Sequence, residues 1–393
     1  MPQRTDAWAN SVSRRAAFRA IAGFMAGSPL LRSQQDPFRD HSRVPAMSEL
    51  RDAFDFEPVA YAKVPRFNYD NMAYGTDGEF TLRRNRQAFD WVDLAPNRVL
   101  GPGPIQTATE ILGTKMAFPI IVSPSATHNL LHPDAEIGTF KGAMAASDTL
   151  YIVSNVTSTP FEKIAAAGKG PLWAQMYPKE TFEENRDWLE RIQAAGAKAI
   201  VVTIDQQAPL HERALHDRHL TAAGPASRRP APKNAYRLPE FRLFYSWKFF
   251  KEIRPIVKVP LLAKGINTAE DARLCLEHGL DGIYVSNHGG RSLDYGPSTL
   301  EVLPEIVDAV GGKAPILFDS GVRRGTDVLK ALALGANAVC LGRVPRWGLG
   351  AYGAPGVQRI LEILQAELVQ AMAYTGRPTL ASIDPKIVRT DFP

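Results

Sequence analysis

The stretch Gly282-Ile-Tyr-Val-Ser-Asn-His-Gly-Gly-Arg291 joins a continuous apolar run to a polar turn that contains two glycines. Such an uninterrupted apolar run is typical of a parallel strand buried on both faces. The glycines permit a tight turn, so His288 and Arg291 can face one bound molecule from the end of that strand. The histidine would serve there as a base and the guanidinium as a carboxylate anchor. The alternative is a surface turn with an incidental histidine.

Similar apolar runs recur along the chain from residue 118 onward. Eight of them alternate with amphipathic stretches rich in Ala, Leu, Glu and Lys, at residues 119–123, 150–154, 172–176, 199–203, 260–263, 282–286, 315–319 and 338–341. Repeated strand–helix units of this kind close into a (β/α)8 barrel. We therefore predict the α/β class and a TIM barrel, preceded by an N-terminal helical extension.

Polar residues occur at or just beyond the carboxyl end of each run. They are Ser123, Ser154, Gln175 with Tyr177, Thr203 with Asp205, Lys264, Ser286 with His288, Asp319 and Arg343. One polar residue can simply end a strand, but eight on the rim where barrel enzymes place their sites predict a pocket. This pattern favours an enzyme or a cofactor-binding protein.

The last two units indicate a phosphate site. Asp319 is followed by Gly321 and Arg323, and the eighth run is followed by Gly342 and Arg343. Backbone amides and guanidinium groups after strands seven and eight can converge on a phosphate. Two helix N-termini with exposed arginines are the alternative, and a sugar-phosphate isomerase would fit this pattern as well.

Composition bounds the class of protein. The 393 residues are 45% apolar, enough for a large core in one barrel, and 46 basic against 41 acidic side chains give a net charge of +5. The basic residues are scattered, so nucleic-acid binding is not indicated. Cys275 and Cys340 lack metal-ligand spacing and are interpreted as inert core thiols, so no metal site is predicted.

The first 45 residues differ from the rest of the chain. Ser13-Arg14-Arg15 precedes a mostly apolar run at residues 20–31, a pattern similar to a twin-arginine export signal. We predict an N-terminal extension at 1–45 and a barrel domain at 46–393, in a cytoplasmic protein, with periplasmic export as the alternative. No stretch approaches the roughly 20 apolar residues of a membrane span, so stable membrane insertion is not expected.

The motifs beyond Tyr69 resemble the FMN-dependent 2-hydroxy-acid oxidase and dehydrogenase family, which includes glycolate oxidase and lactate oxidase. The resemblance is carried by Ser286-Asn-His-Gly-Gly-Arg291, Ala263-Lys264-Gly265 and the segment from Asp319 to Val328, together with Thr81-Leu82-x-x-Asn85. It implies FMN as cofactor. The implied FMN-binding residues are Ser125, Ala126, Ser154, Gln175, Thr203, Lys264 and Ser286 around the ring, and Asp319, Gly321, Arg323, Gly342 and Arg343 at the phosphate end.

The resemblance also implies roles in the oxidation of an (S)-2-hydroxy acid to a 2-oxo acid. His288 would act as base, and Asp205 would orient and stabilise its imidazolium. Arg291 would bind the substrate carboxylate, and Tyr177 would hydrogen-bond the hydroxyl or carbonyl oxygen. Lys264 would stabilise negative charge on the flavin.

Two departures from the family pattern concern the substrate. Asn71 stands where a second substrate-binding tyrosine is usual, and the usual second arginine is displaced, with His211 nearest its position and Arg213 two residues beyond. Asn71 opens space and the carboxylate clamp loses an interaction, so we hypothesise a preference for larger 2-hydroxy acids, aliphatic or aryl, over glycolate. Which of His211 and Arg213 faces the substrate stays open.

The electron acceptor and the assembly follow from the resemblance alone. Ala126 stands where oxidases of the family tend to have alanine, which favours oxygen as acceptor and hydrogen peroxide as product. The alternatives are a dehydrogenase that passes electrons to a quinone or a carrier protein, and a flavin-binding protein without hydroxy-acid turnover. Family barrels often form tetramers, so a homo-oligomer is expected.

Overall fold

The eight apolar runs become the strands of one closed barrel. The computed structural model describes residues 44–96, 103–206 and 246–393. The strands are β1 (Ile120–Val122), β2 (Tyr151–Ser154), β3 (Leu172–Met176), β4 (Ile200–Thr203), β5 (Leu261–Ile266), β6 (Gly282–Val285), β7 (Ile316–Phe318) and β8 (Ala338–Leu341). Each strand pairs in parallel with its neighbours in chain order, and β8 pairs with β1. The predicted TIM barrel is confirmed.

Successive side chains along each strand point to opposite faces of the barrel wall, and each face packs in its own layer. One set of side chains fills the barrel interior, including Ile121, Ile152, Trp173, Val201, Leu262, Tyr284 and Leu317. The intervening side chains pack outward against the helices. A hairpin of Thr109–Ile111 and Thr114–Met116 adds to the interior cluster, where Trp173 donates a 2.9 Å hydrogen bond to Thr114. The barrel is therefore a filled core, and a ligand has room only at its rim.

Helices surround the barrel, and among the described residues three helices precede it. These three are α1 (Ala53–Lys63), α2 (Arg66–Ala73) and α3 (Phe80–Gln87). The others are α4 (Ala135–Ser147), α5 (Phe161–Ala166), α6 (Phe182–Ala194), α7 (Trp247–Ile253), α8 (Ala269–Glu277), α9 (Thr299–Val310), α10 (Gly325–Ala333) and α11 (Arg343–Tyr374). These three helices lie within the predicted domain at 46–393, and the predicted extension at 1–45 lies almost entirely outside the described residues. Side-chain caps at Asp52, Thr181, Thr268 and Ser298 satisfy the first amides of α1, α6, α8 and α9.

The segment that contains α3 holds the loop after β6 in place. Asn85 of α3 and Asn287 exchange two side-chain hydrogen bonds of 2.7 and 2.8 Å. Asp294 accepts hydrogen bonds of 2.9 Å from the backbone amides of Gly78 and Thr81. All of these contacts lie beyond the carboxyl end of β6, so the preceding helices brace the segment that carries His288 and Arg291.

Some predictions fall outside the described residues. These are the twin-arginine-like motif and the segment with His211 and Arg213. The division of the chain after residue 45 stays a prediction. Across the described ranges, no helix combines the length and the apolar character that a bilayer span requires.

Candidate active site

A cavity of about 250 Å³ lies at the carboxyl ends of the barrel strands. Most of the predicted site residues line it: Asn71, Ser125, Ala126, Ser154, Tyr177, Lys264, His288, Arg291, Asp319, Gly321, Arg323, Gly342 and Arg343. The other predicted residues in the described ranges are buried and bonded to one another or to the cavity wall. Gln175 donates to Thr203 at 2.8 Å, and Ser286 accepts from Lys264 at 2.7 Å. The structure therefore brings the strand-end residues together.

His288 and Asp205 form a hydrogen-bonded pair that is partly buried. The two side chains meet at 2.9 Å between Nδ1 and Oδ1, and the other ring nitrogen, Nε2, lies 3.4 Å from the Tyr177 hydroxyl. A carboxylate that accepts from Nδ1–H fixes the tautomer in which Nε2 carries a lone pair. Burial lowers the pKa of His288, although the charge of Asp205 acts to raise it. The imidazole is therefore neutral and basic at Nε2 near neutral pH.

The backbone around His288 is held in an unusual conformation. Three consecutive residues have positive φ angles: 59° at His288, 66° at Gly289 and 76° at Gly290. A Cβ atom at Gly290 would lie 2.6 Å from the Leu82 backbone, so only glycine fits this close approach. Hydrogen bonds from the His288 amide to Ser286 and from the Gly289 amide to Ser320 support the turn. Strain supported in this way is common where a side chain is aimed into a site.

Lys264 is the cation at the floor of the cavity. Its residue is 2% exposed, and Nζ lies 3.9 Å from a carboxylate oxygen of Asp205 and 3.9 Å from one of Asp319. Burial acts to raise the pKa of Asp205, but its interactions with His288 and Lys264 outweigh burial and lower that pKa. Lys264 therefore carries the charge that compensates two buried carboxylates.

Arg291 is positioned by backbone carbonyls rather than by the Asn71 side chain. Its Nη1 donates to the carbonyl oxygens of Asn71 at 2.6 Å and Tyr74 at 3.1 Å. Asn71 itself lines the cavity, as do Met72 and Val156. The α2 segment thus orients the guanidinium, while the short Asn71 side chain leaves space beside it.

Arg323 and Arg343 bring further positive charge to the cavity. Burial lowers the pKa of Arg323 to about 10 and that of Arg343 to about 9. Arg343 donates to the carbonyl oxygens of Met72, Gly289 and Tyr74, and Arg323 donates to that of Val322. In the ranges that the structure covers, neither arginine forms an ion pair with a carboxylate. Two partly buried guanidinium groups that form no ion pair with a described residue fit a phosphate.

Comparison with known proteins decides the family. A family model described as FMN-dependent dehydrogenase matches residues 60–390. The chain belongs to the FMN-dependent dehydrogenase family. It is an FMN-dependent oxidoreductase, and the resemblance seen in the sequence motifs is confirmed.

The sequence alignments with relatives of this protein span most of its length. A peroxisomal (S)-2-hydroxyacid oxidase of Arabidopsis thaliana is 38% identical over 356 residues, which are 88% of this chain and 98% of the relative. Glycolate oxidase 1 of Zea mays is 35% identical over 88% of this chain and 97% of its own. Among solved structures, mandelate oxidase with (S)-2-phenylpropionate has a TM-score of 0.77 at 33% identity, covering 87% of this chain and 99% of its own.

The residues of the cavity fit FMN. The two arginines without counter-anions lie after β7 and β8, where a phosphomonoester would neutralise them, and the cavity continues from there to Lys264 and His288. Gly321 and Gly342 would hold the phosphate together with these arginines, and Lys264 would lie at the electron-rich side of the ring.

Sequence reasoning missed one charged residue of the cavity. Arg346 lines it together with Arg343, although only Arg343 was predicted. The two residues are three positions apart at the start of α11, and this spacing places side chains on one face of a helix. That spacing was the available signal. Met72, on α2, and Val156, after β2, were also missed as lining residues, because an apolar residue carries no distinctive signal of a site.

Proposed function

We propose that this enzyme oxidises an (S)-2-hydroxy acid to the 2-oxo acid, with oxygen as final acceptor and hydrogen peroxide as product. The observation that carries the proposal is the His288–Asp205 pair in the wall of a cavity that also contains Arg291 and Lys264. Names of the relatives support it, since those proteins are (S)-2-hydroxyacid, glycolate and mandelate oxidases.

Different residues of the chain have separate roles in the proposed reaction. Arg291 binds the substrate carboxylate and so places the α-carbon and its hydroxyl near Nε2 of His288. Nε2 takes one proton from the substrate, either from the α-carbon or from the hydroxyl, and Asp205 stabilises the imidazolium that results. Tyr177 hydrogen-bonds the substrate oxygen. FMN, when bound, supplies the two-electron acceptor that oxygen then regenerates.

The identity of the electron acceptor is tested by the reoxidation of the reduced enzyme. The holoenzyme is first bleached anaerobically with an (S)-2-hydroxy acid and is then mixed with air-saturated buffer or with a soluble quinone. An oxidase recovers its yellow colour rapidly in air and releases one hydrogen peroxide per flavin. Slow recovery in air with rapid recovery by quinone would instead assign a dehydrogenase on the same scaffold.

Substrate size is predicted from Asn71. Because the short side chain leaves space and removes a hydroxyl donor, we expect glycolate to reduce the flavin at least about tenfold more slowly than larger acids, the lower range for a lost hydrogen bond to a charged group. The measurement is the second-order rate constant with glycolate, lactate, 2-hydroxyoctanoate and mandelate. Asn71→Tyr should move the preference back toward small acids. Glycolate as the best of the four would refute the argument from Asn71.

The pH dependence follows from the lowered pKa of His288. Burial keeps this pKa below the ordinary value of 6.5, so the free enzyme holds a neutral base at neutral pH. We expect the second-order rate of flavin reduction to be constant above pH 6.5 and to fall only as the pH drops through the lowered pKa. A profile from about pH 5 to pH 9 checks this, and a rate that keeps rising above neutral pH would contradict it.

The cellular location and the assembly are further proposals. The first is a cytoplasmic enzyme, with export through the twin-arginine-like N-terminus as the alternative, and fractionation of cells that express the full chain distinguishes them. The second is a homo-oligomer, specifically a tetramer, supported by the resemblance to the family. Sedimentation of the holoenzyme measures it.

A further inference from the structure

Arg346 is a cation of the active-site cavity that the proposed reaction does not use. It lies at the start of α11 and lines the cavity with Asn71, Val156 and Arg291. Its Nε is buried and has no hydrogen-bond partner in the described parts of the chain. The guanidinium also forms no ion pair with any described residue. A buried donor of a charged group that is left unpaired is costly, so a role in binding an anion would account for the place of this side chain.

No described group forms an ion pair with Arg346, although the charge of Glu136 acts to raise its pKa. Glu136 is the nearby acid, but its oxygens accept hydrogen bonds from the amides of His128 and Ser158 at 3.0 and 2.9 Å and from the Ser158 hydroxyl at 2.6 Å. His128 is bonded on both ring nitrogens to the hydroxyls of Ser125 and Thr139. Burial lowers the pKa of His128 to about 3, and the Arg346 charge acts in the same direction. The imidazole beside Arg346 is therefore neutral.

Three of the four arginines that line the cavity have a proposed anionic partner. Arg323 and Arg343 are assigned to the phosphate, and Arg291 is assigned to the substrate carboxylate. Lys264 lies between Asp205 and Asp319 instead. Arg346 is the arginine of this lining without an assigned anion. Burial and the neighbouring Arg291 lower the pKa of Arg346 to about 10, so it is charged at neutral pH and lies within electrostatic range of the predicted carboxylate anchor.

We propose that Arg346 binds a second anionic group of the substrate, so that the preferred substrate is a 2-hydroxy acid with an additional carboxylate. Arg291 holds the carboxylate next to the reacting carbon, and Arg346 receives the distal one across the space that Asn71 and Val156 leave open. This inference rests on the proposed function and refines its substrate class: the larger acid expected from Asn71 is larger because it carries a charged end.

The test compares two unreactive product analogues of equal chain length. 2-Oxopentanedioate and 2-oxopentanoate differ only in the distal carboxylate, and their dissociation constants are measured by calorimetry with the oxidised holoenzyme. We expect the dianion to bind about 10- to 150-fold more tightly, the range for a hydrogen bond to a charged group. In Arg346→Met this ratio should fall toward about 1, and in Arg346→Lys it should be intermediate. Arg273→Met, at an exposed position on α8, should keep the wild-type ratio.

Other outcomes overturn the inference. Equal binding of the two acids by the wild-type enzyme would do so, and so would an unchanged ratio in the Arg346 variants. Loss of FMN from both variants would assign Arg346 to the cofactor instead. The proposed function is judged separately, because it fails if no 2-hydroxy acid reduces the flavin, whatever the binding ratio.

Discussion

Replacing His288 by alanine is expected to slow the reduction of bound FMN by at least about 100-fold, the lower range for the loss of a general base. The physical reason is that Nε2 is the basic nitrogen that faces the cavity, since Nδ1 is bonded to Asp205. FMN should stay bound, because the arginines at the phosphate end are unchanged. Stopped-flow absorbance under anaerobic conditions measures the rate.

His132→Ala is the matched control for this variant. His132 is half-buried and lies outside the cavity, where its ring contacts Asp134. We expect its flavin-reduction rate to stay within about twofold of the wild type, as for most substitutions away from a site. If His288→Ala reduced its flavin as fast as this control, His288 would have no part in the reaction.

Lys264→Met is expected to destabilise the protein and to change the flavin. The substitution leaves Asp205 and Asp319 buried without their shared cation, and removing one partner of a buried ion pair costs about 3–5 kcal/mol. It should also lower the reduction potential of bound FMN, because a nearby cation stabilises negative charge. Denaturant unfolding and dye equilibration measure the two effects.

Lys248→Met provides the control for the stability measurement. The Lys248 side chain is 81% exposed and pairs with Glu252 on the surface of α7. Exposed substitutions of this kind change the free energy of unfolding by about 0.5 kcal/mol or less. A Lys264→Met protein as stable as this control would show that the two carboxylates do not depend on Lys264.

The barrel was predictable because its strands are buried on both faces. A strand such as Ile200–Thr203 contains no polar side chain until its carboxyl end, so both its position and its direction can be read from the sequence. All eight strands were predicted this way. The lengths of several strands differed by a residue or more, as for Leu261–Ile266, because the last backbone hydrogen bonds depend on neighbouring strands.

The site was predictable where a charged or titratable side chain comes at the end of a predicted strand. His288, Arg291 and Lys264 were recognised in this way, and the structure places all three in one cavity. The position of Lys264 between Asp205 and Asp319 was not predictable, since it depends on the register of strands that are distant in sequence. Arg346 lies one turn into a helix, and its spacing of three residues from Arg343 was the signal that could have placed it on the same face. His211 and Arg213 lie outside the described residues, so which of them faces the substrate stays open.

We propose that this cavity oxidises (S)-2-hydroxy acids with FMN. An anaerobic titration of the purified holoenzyme with the separate enantiomers of monocarboxylic and dicarboxylic 2-hydroxy acids, followed by flavin absorbance and by assay of the 2-oxo acid, tests this proposal. We expect complete bleaching by at least one (S)-acid, with one 2-oxo acid formed per flavin, and no bleaching by its (R)-enantiomer. A flavin that stays oxidised with every (S)-acid would refute the proposal.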